Sequence, residues 1–261
     1  MHKARTVFDR VLVVVGVLAL WQLASYSAGA YWVPAPWPVT KALWAMAASG
    51  ELARHASYTF QAAAWGFLIG GLPGALLPFI LRRMPRLSAI LDPYLVGGYG
   101  IPKLALAPLF ILWFGIGLES KIAVVASVVF FLVFFNTTAG VRAIDAKLVL
   151  MARLVGASEF LIARRVIWPS AVPFIFAGLR VSTPYAIGGA VIAELISSNR
   201  GLGYLVQLGA MNFKTVEVFA AILAITLIVI GANALVNGIE RRLLRWRPAS
   251  ALNKDAASGG M

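Results

Sequence analysis

The chain has 261 residues, of which 61% are hydrophobic and 13% charged, with 23 Lys and Arg against 10 Asp and Glu. A soluble domain carries about 25% charged residues, so a soluble enzyme, a disordered segment and a coiled coil are excluded in favour of an integral membrane protein. With no cysteine and only His2 and His55, disulfide, thiolate and metal chemistry have almost no material, and no catalytic residue, metal site or cofactor is expected.

A helix needs about 20 apolar residues to cross the hydrocarbon core. Six blocks approach or exceed that length: 11–27, 57–81, 90–114, 122–141, 172–196 and 218–239. The first follows Lys3, Arg5 and Arg10 and precedes Ala28-Gly29-Ala30, which has the look of a cleavage site; it is read as a retained span. Residues 28–40 contain Pro34, Pro36 and Pro38, and their Tyr31, Trp32 and Trp37 suit an interfacial aromatic belt. Thr40 is expected to cap a short surface helix with Leu43, Trp44, Ala47 and Ala48 on one face.

Gly70-Gly71 in the second block and Gly188-Gly189 in the fifth read as points of close helix packing. In the third block Lys103 stands in a run broken by Gly97, Gly98, Gly100, Pro102 and Pro108. A charge there either faces a polar interior or snorkels to the interface, and the sequence leaves both open. Asn136, Thr137 and Thr138 end the fourth block, and Ser182, Thr183, Pro184 and Tyr185 interrupt the fifth. They serve interhelical hydrogen bonds or line a pathway, Tyr185 having the stronger case for lining because of the proline beside it. Arg180 suits snorkelling or a structural pair. Glu194, about 21 Å farther along the same helix, is placed to hold an outer gate or the 197–210 loop.

The longest polar stretch between spans is 142–171. It reads as two short amphipathic helices joined near Gly156-Ala157, with Ser158 capping the second. Such a loop either lies on the membrane surface or docks a soluble partner. Placing both termini inside puts 16 Lys and Arg on the cytoplasmic side and five outside, with Lys103 and Arg180 within spans. The basic excess therefore reports topology and not nucleic-acid binding.

The stretch 150–169 resembles the cytoplasmic loop of permease subunits of bacterial binding-protein-dependent ABC importers. Ala152, Gly156 and Pro169 stand where that family has its second alanine, glycine and proline, while Leu150 and Met151 replace its Glu-Ala. Pro102-Lys103, Ala107-Pro108-Leu109 and Trp113-Phe114-Gly115-Ile116-Gly117 are similar to the taurine, aliphatic-sulfonate and nitrate permease group. So are Gly178-Leu179-Arg180, Ala193-Glu194-Leu195, Gly201-Leu202-Gly203-Tyr204 and Glu240 to Trp246.

The resemblance implies an all-α membrane protein with six transmembrane helices and the type I importer architecture, in the bacterial inner membrane. It also implies cytoplasmic ATP-binding subunits, an external solute-binding protein and a second permease copy as partners, beside membrane lipid. Ala152, Leu154, Val155, Gly156, Ala157 and Phe160 would form the coupling element seated on the ATPase, with Arg153, Arg164 and Arg165 as its rim. Lys103, Asn136, Thr137, Tyr185 and Glu194 are the transport-path candidates. A cation at Lys103 would favour a small anionic solute such as a sulfonate or nitrate; a thiamine precursor or a flavin is the alternative cargo. No Gly-x-x-x-x-Gly-Lys-Ser/Thr run occurs, so ATP hydrolysis would fall to a partner. A self-sufficient secondary transporter, which would need an internal repeat or a titratable relay, and a non-transporting scaffold are the competing readings.

Overall fold

The structure is a computed structural model that describes the backbone of residues 2–245 and side chains from Phe8 onward. Trp246, Arg247 and Lys254, used above for the family match and the charge count, lie outside the described residues. Eleven α-helices occur among the described residues, and no strand. They are α1 His2–Ala28, α2 Pro36–Ala48, α3 Glu51–Arg83, α4 Pro85–Gly100, α5 Ala107–Phe114, α6 Leu118–Arg142, α7 Ala146–Leu154, α8 Glu159–Ile162, α9 Trp168–Ile196, α10 Leu202–Met211 and α11 Thr215–Leu243.

Five helical segments are long and apolar enough to cross a membrane, and α4 with the segment Lys103–Phe114 makes a sixth, bent by 82°. The bend has a local cause. Ile101 precedes Pro102 and takes an extended conformation at φ −66° and ψ 131°, as a residue before proline prefers. Pro102 is followed by a single 3₁₀ turn, Lys103–Leu106, and then by α5. Other prolines sit inside helices: Pro73 and Pro78 in α3, Pro93 in α4, Pro173 and Pro184 in α9. Membrane helices tolerate them because neighbouring groups satisfy the freed carbonyls.

The chain divides into two units, one from residues 1–61 and 191–227, the other from 62–190 and 228–261. In the first unit, Trp21 of α1 donates its indole N–H to the Pro34 carbonyl at 3.0 Å and stacks on Phe219 with centroids 6.3 Å apart. Helix α2 corrects the expectation for Thr40. The helix begins at Pro36, where the missing N–H costs nothing. Thr40 is thus internal, and its hydroxyl donates to the Trp37 carbonyl. The buried positions of α2 are Val39 and Met46, whereas Trp44 is 75% exposed.

In the second unit α3 packs on α6 along a stripe of small residues. A Cβ on Gly66, Gly70 or Gly74 would come within 2.7 Å of Val125, the Ala126 carbonyl or the Phe130 carbonyl respectively. The spacing of four keeps all three on one face. Gly71 has only ordinary contacts and Gly188 faces open space, so close approach belongs to Gly70 alone of those four glycines. A small apolar cluster of Val149, Ile162 and Ile167, with Phe79 and Val166 against it, fixes α7 and α8 to the end of α3.

Candidate coupling surface and buried polar sites

Asp145 caps α7 by accepting the Lys147 N–H at 2.8 Å, and Ser158 caps α8 by accepting the Leu161 N–H at 3.3 Å. Between them the chain turns through Gly156 at φ +81°. Ala157 N–H donates to Ala152 O at 3.0 Å and Gly156 N–H donates to Arg153 O at 2.9 Å. This pair of bonds is the Schellman ending of a helix, and it needs a left-handed residue at the position Gly156 occupies. Arg153 crosses the turn and donates to Glu159 at 2.7 Å.

The turn therefore has an inner and an outer side. Ala152 and Ala157 pack against the Val149–Ile162–Ile167 cluster. Leu154 is 77% exposed, Val155 84% and Phe160 69%, with Leu150 and Met151 also exposed. These apolar side chains thus face outward from the turn, and exposed apolar patches of this kind mark interaction sites. Leu150 and Met151, where the family has Glu-Ala, extend this apolar face.

The transport-path candidates separate. Lys103 donates its ammonium to the Gly98 carbonyl at 2.6 Å and to the Tyr99 carbonyl, and it lies 4.3 Å from the Phe131 ring centroid. It closes the C-terminal end of α4 at the bend, a role that neither the pathway nor the snorkelling reading contained. Cations suit the carbonyl-rich end of a helix. Asn136 returns its amide to the Leu132 carbonyl at 2.8 Å and packs its Cβ toward Gly178. Thr137 is fully buried, and its hydroxyl has no hydrogen-bond partner among the described residues. Tyr185 is 56% exposed. Lys103 and Asn136–Thr137 thus share α6 as a neighbour or host, and Glu194 belongs to the other unit.

Glu194 is fully buried. Its Oε2 accepts the Thr59 hydroxyl at 3.0 Å and the Gly203 N–H at 2.8 Å, and the Leu202 N–H donates back to Thr59 at 2.9 Å. Nearby, Gly201 N–H donates to His55 Nδ1 at 3.1 Å, and the His55 ring stacks on Tyr204. The start of α3 is thereby tied to the 201–204 segment. Thr59 carries no signal in the sequence, and His55 has no ligand-like neighbour along the chain.

Two charged groups have partners that the sequence does not name. Lys121, one of the five cations that the charge count places outside, is fully buried and donates to the Ile116 carbonyl at 2.5 Å. Arg180 pairs with Glu240 of α11 at 3.4 Å, the glutamate being nearly buried. The pair joins two residues whose motifs lie far apart in the sequence.

Residues 63–247 match the family described as binding-protein-dependent transport system inner membrane component. The chain is 36% identical to the putative aliphatic sulfonates transport permease protein of Bacillus subtilis (strain 168), over 88% of this chain and 84% of the relative. It is 38% identical to the protein of that same description from Escherichia coli (strain K12), over 92% of each. It is 34% identical to the riboflavin transport system permease protein of Chloroflexus aurantiacus, over 88% of this chain and 87% of that one. Among solved structures, the inward-facing MetNI methionine ABC transporter matches with TM-score 0.59 at 20% identity, covering 79% of this chain and 96% of the other. A crystal structure of an amino acid ABC transporter with histidines gives TM-score 0.61 at 18% identity, covering 77% and 98%. These likenesses give the fold as that of type I importer permeases. The chain therefore belongs to the family of inner membrane components of binding-protein-dependent transport systems.

Proposed function

We propose that this chain is the transmembrane subunit of an ATP-driven importer for a small organic anion of the aliphatic sulfonate class. The observation that carries this reading is the identity of 36% and 38% to two aliphatic sulfonate permeases over most of the chain. ATP hydrolysis is performed by separate cytoplasmic subunits, and an external binding protein delivers the solute. Two copies of the chain enclose the pathway, and both termini are cytoplasmic, which the concentration of Lys and Arg in the inner loops supports.

The α7–α8 turn is the coupling element. Leu154, Val155 and Phe160 are held outward by a turn whose own bonds are satisfied, so docking costs little ordering entropy. Burying one such side chain in a partner groove is worth about 1.5–3 kcal/mol. The riboflavin relative favours a flavin-like cargo as a second reading.

The test is reconstitution of the permease with its ATPase and binding protein in liposomes. Aliphatic sulfonate should be taken up with ATP hydrolysis stimulated by the loaded binding protein, and riboflavin should not compete. Gly156→Trp should leave the protein inserted and lower coupled hydrolysis at least about tenfold, because a bulky residue is forced into the left-handed region. Wild-type stimulation in this variant would remove the turn from its coupling role. Uptake of riboflavin in place of sulfonate would decide for the second reading.

A further inference from the structure

Beside the α7–α8 turn the second unit holds a groove of about 850 Å³ whose walls are unlike an aqueous cleft. Its apolar lining includes Leu76, Phe79 and Ile80 of α3, Trp168 of α9, and Phe160, whose side chain also belongs to the proposed ATPase face. Its charged lining residues are three arginines, Arg82, Arg83 and Arg153, against the single glutamate Glu159. Arg153 is matched by Glu159 at 2.7 Å. Arg82 gives one N–H to the Val141 carbonyl at 3.3 Å, Arg83 is exposed, and both also act electrostatically on the Glu159 carboxylate.

These groups are graded along the axis of α3. Leu76 and Ile80, half exposed, precede Arg83 by seven and three residues, about 10 Å and 5 Å along the helix. The rings of Phe79 and Trp168 lie 5.1 Å apart, and tryptophan is a side chain that favours a membrane–water boundary. An occupant must therefore be anionic at one end and apolar for most of its length. We propose that the groove binds an anionic phospholipid, with its phosphate between Arg83 and Arg82 and an acyl chain along Ile80 and Leu76 against the Phe79–Trp168 pair. Basic pockets at helix ends recognise lipid headgroups by this combination of charge and depth. The chain's own C-terminal segment, 246–261, has the wrong charge for the site, carrying Arg247 and Lys254 against Asp255.

The inference needs only that the chain spans a membrane, so it stands apart from the choice of cargo. The test uses the full-length chain assembled with its ATPase in detergent, titrated with phosphatidylglycerol or phosphatidylcholine and read by native mass spectrometry. Phosphatidylglycerol should be retained in preference to phosphatidylcholine. Arg83→Gln should weaken it about fivefold, the usual effect of one basic residue at a membrane surface. Ile80→Trp, which fills the groove from an exposed position, should lower retention without removing a charge, and serves if the arginine variant assembles poorly. Equal retention of the two lipids, or unchanged phosphatidylglycerol binding in both variants, would overturn the site. So would a photo-crosslinker at Ile80 that captures the ATPase and not lipid.

Discussion

Lys103 shows how a charged residue in a membrane span can serve the backbone. The break after Gly100 leaves the last carbonyls of α4 without helical partners, and each such group left unsatisfied in hydrocarbon is expensive. The ammonium takes two of them, from Gly98 and Tyr99, and lies over Phe131. Replacing it with methionine should therefore destabilise the fold by about 1–3 kcal/mol through the orphaned carbonyls. Thermal unfolding of the purified complex measures this, with uptake followed in parallel. A lowered midpoint in Lys103→Met, partly restored in Lys103→Arg, is the expected outcome. An unchanged midpoint with reduced uptake would instead make Lys103 a pathway residue. Glu194 and Thr59 follow the same logic of satisfaction, since a buried carboxylate needs donors and finds them in Gly203 N–H and the threonine hydroxyl.

At the scale of elements, the α3–α6 contact depends on which face of α3 lacks side chains. Gly70 and Gly71 are adjacent in sequence and opposite in consequence. A Cβ on Gly70 would sit 2.3 Å from the Ala126 carbonyl oxygen, whereas one on Gly71 would make ordinary contact with Leu179 and Val129 at 3.7 Å. Gly70→Ala should destabilise by about 1–3 kcal/mol, the usual cost of overpacking, and Gly71→Ala should be nearly neutral. Thermal unfolding in detergent of the two variants side by side makes the comparison. Equal effects would mean that the helices separate easily here. The α7–α8 pair shows the complementary case, in which caps and turn were legible from Asp145, Gly156 and Ser158. Their chemistry is local and acts within three residues.

For the whole molecule, the charge asymmetry makes a statement about membrane sidedness that needs no tertiary detail. Ser158 and Asn199 are suitable reporters because both lie between helices and are exposed. With no native cysteine in the chain, a membrane-impermeant thiol reagent applied from outside should label Asn199→Cys and leave Ser158→Cys unlabelled. The reverse pattern would invert the topology.

What the residues alone determined is the class of protein: a helical, multi-span membrane chain, its family, the break in the third span and the turn near Gly156. Apolar run length, proline geometry and glycine at a helix end are all properties of a residue and its near neighbours. Tertiary structure decided the partners of the buried charges. Lys121 reads as an outer charge because it falls between the apolar blocks 90–114 and 122–141, yet it is enclosed. Arg180 and Glu240 are 60 residues apart and meet only when α9 and α11 are packed. The difference between Gly70 and Gly71 is likewise invisible without the helix that faces them. A partner across space leaves no mark on spacing along the chain, and for that physical reason these assignments waited for the fold.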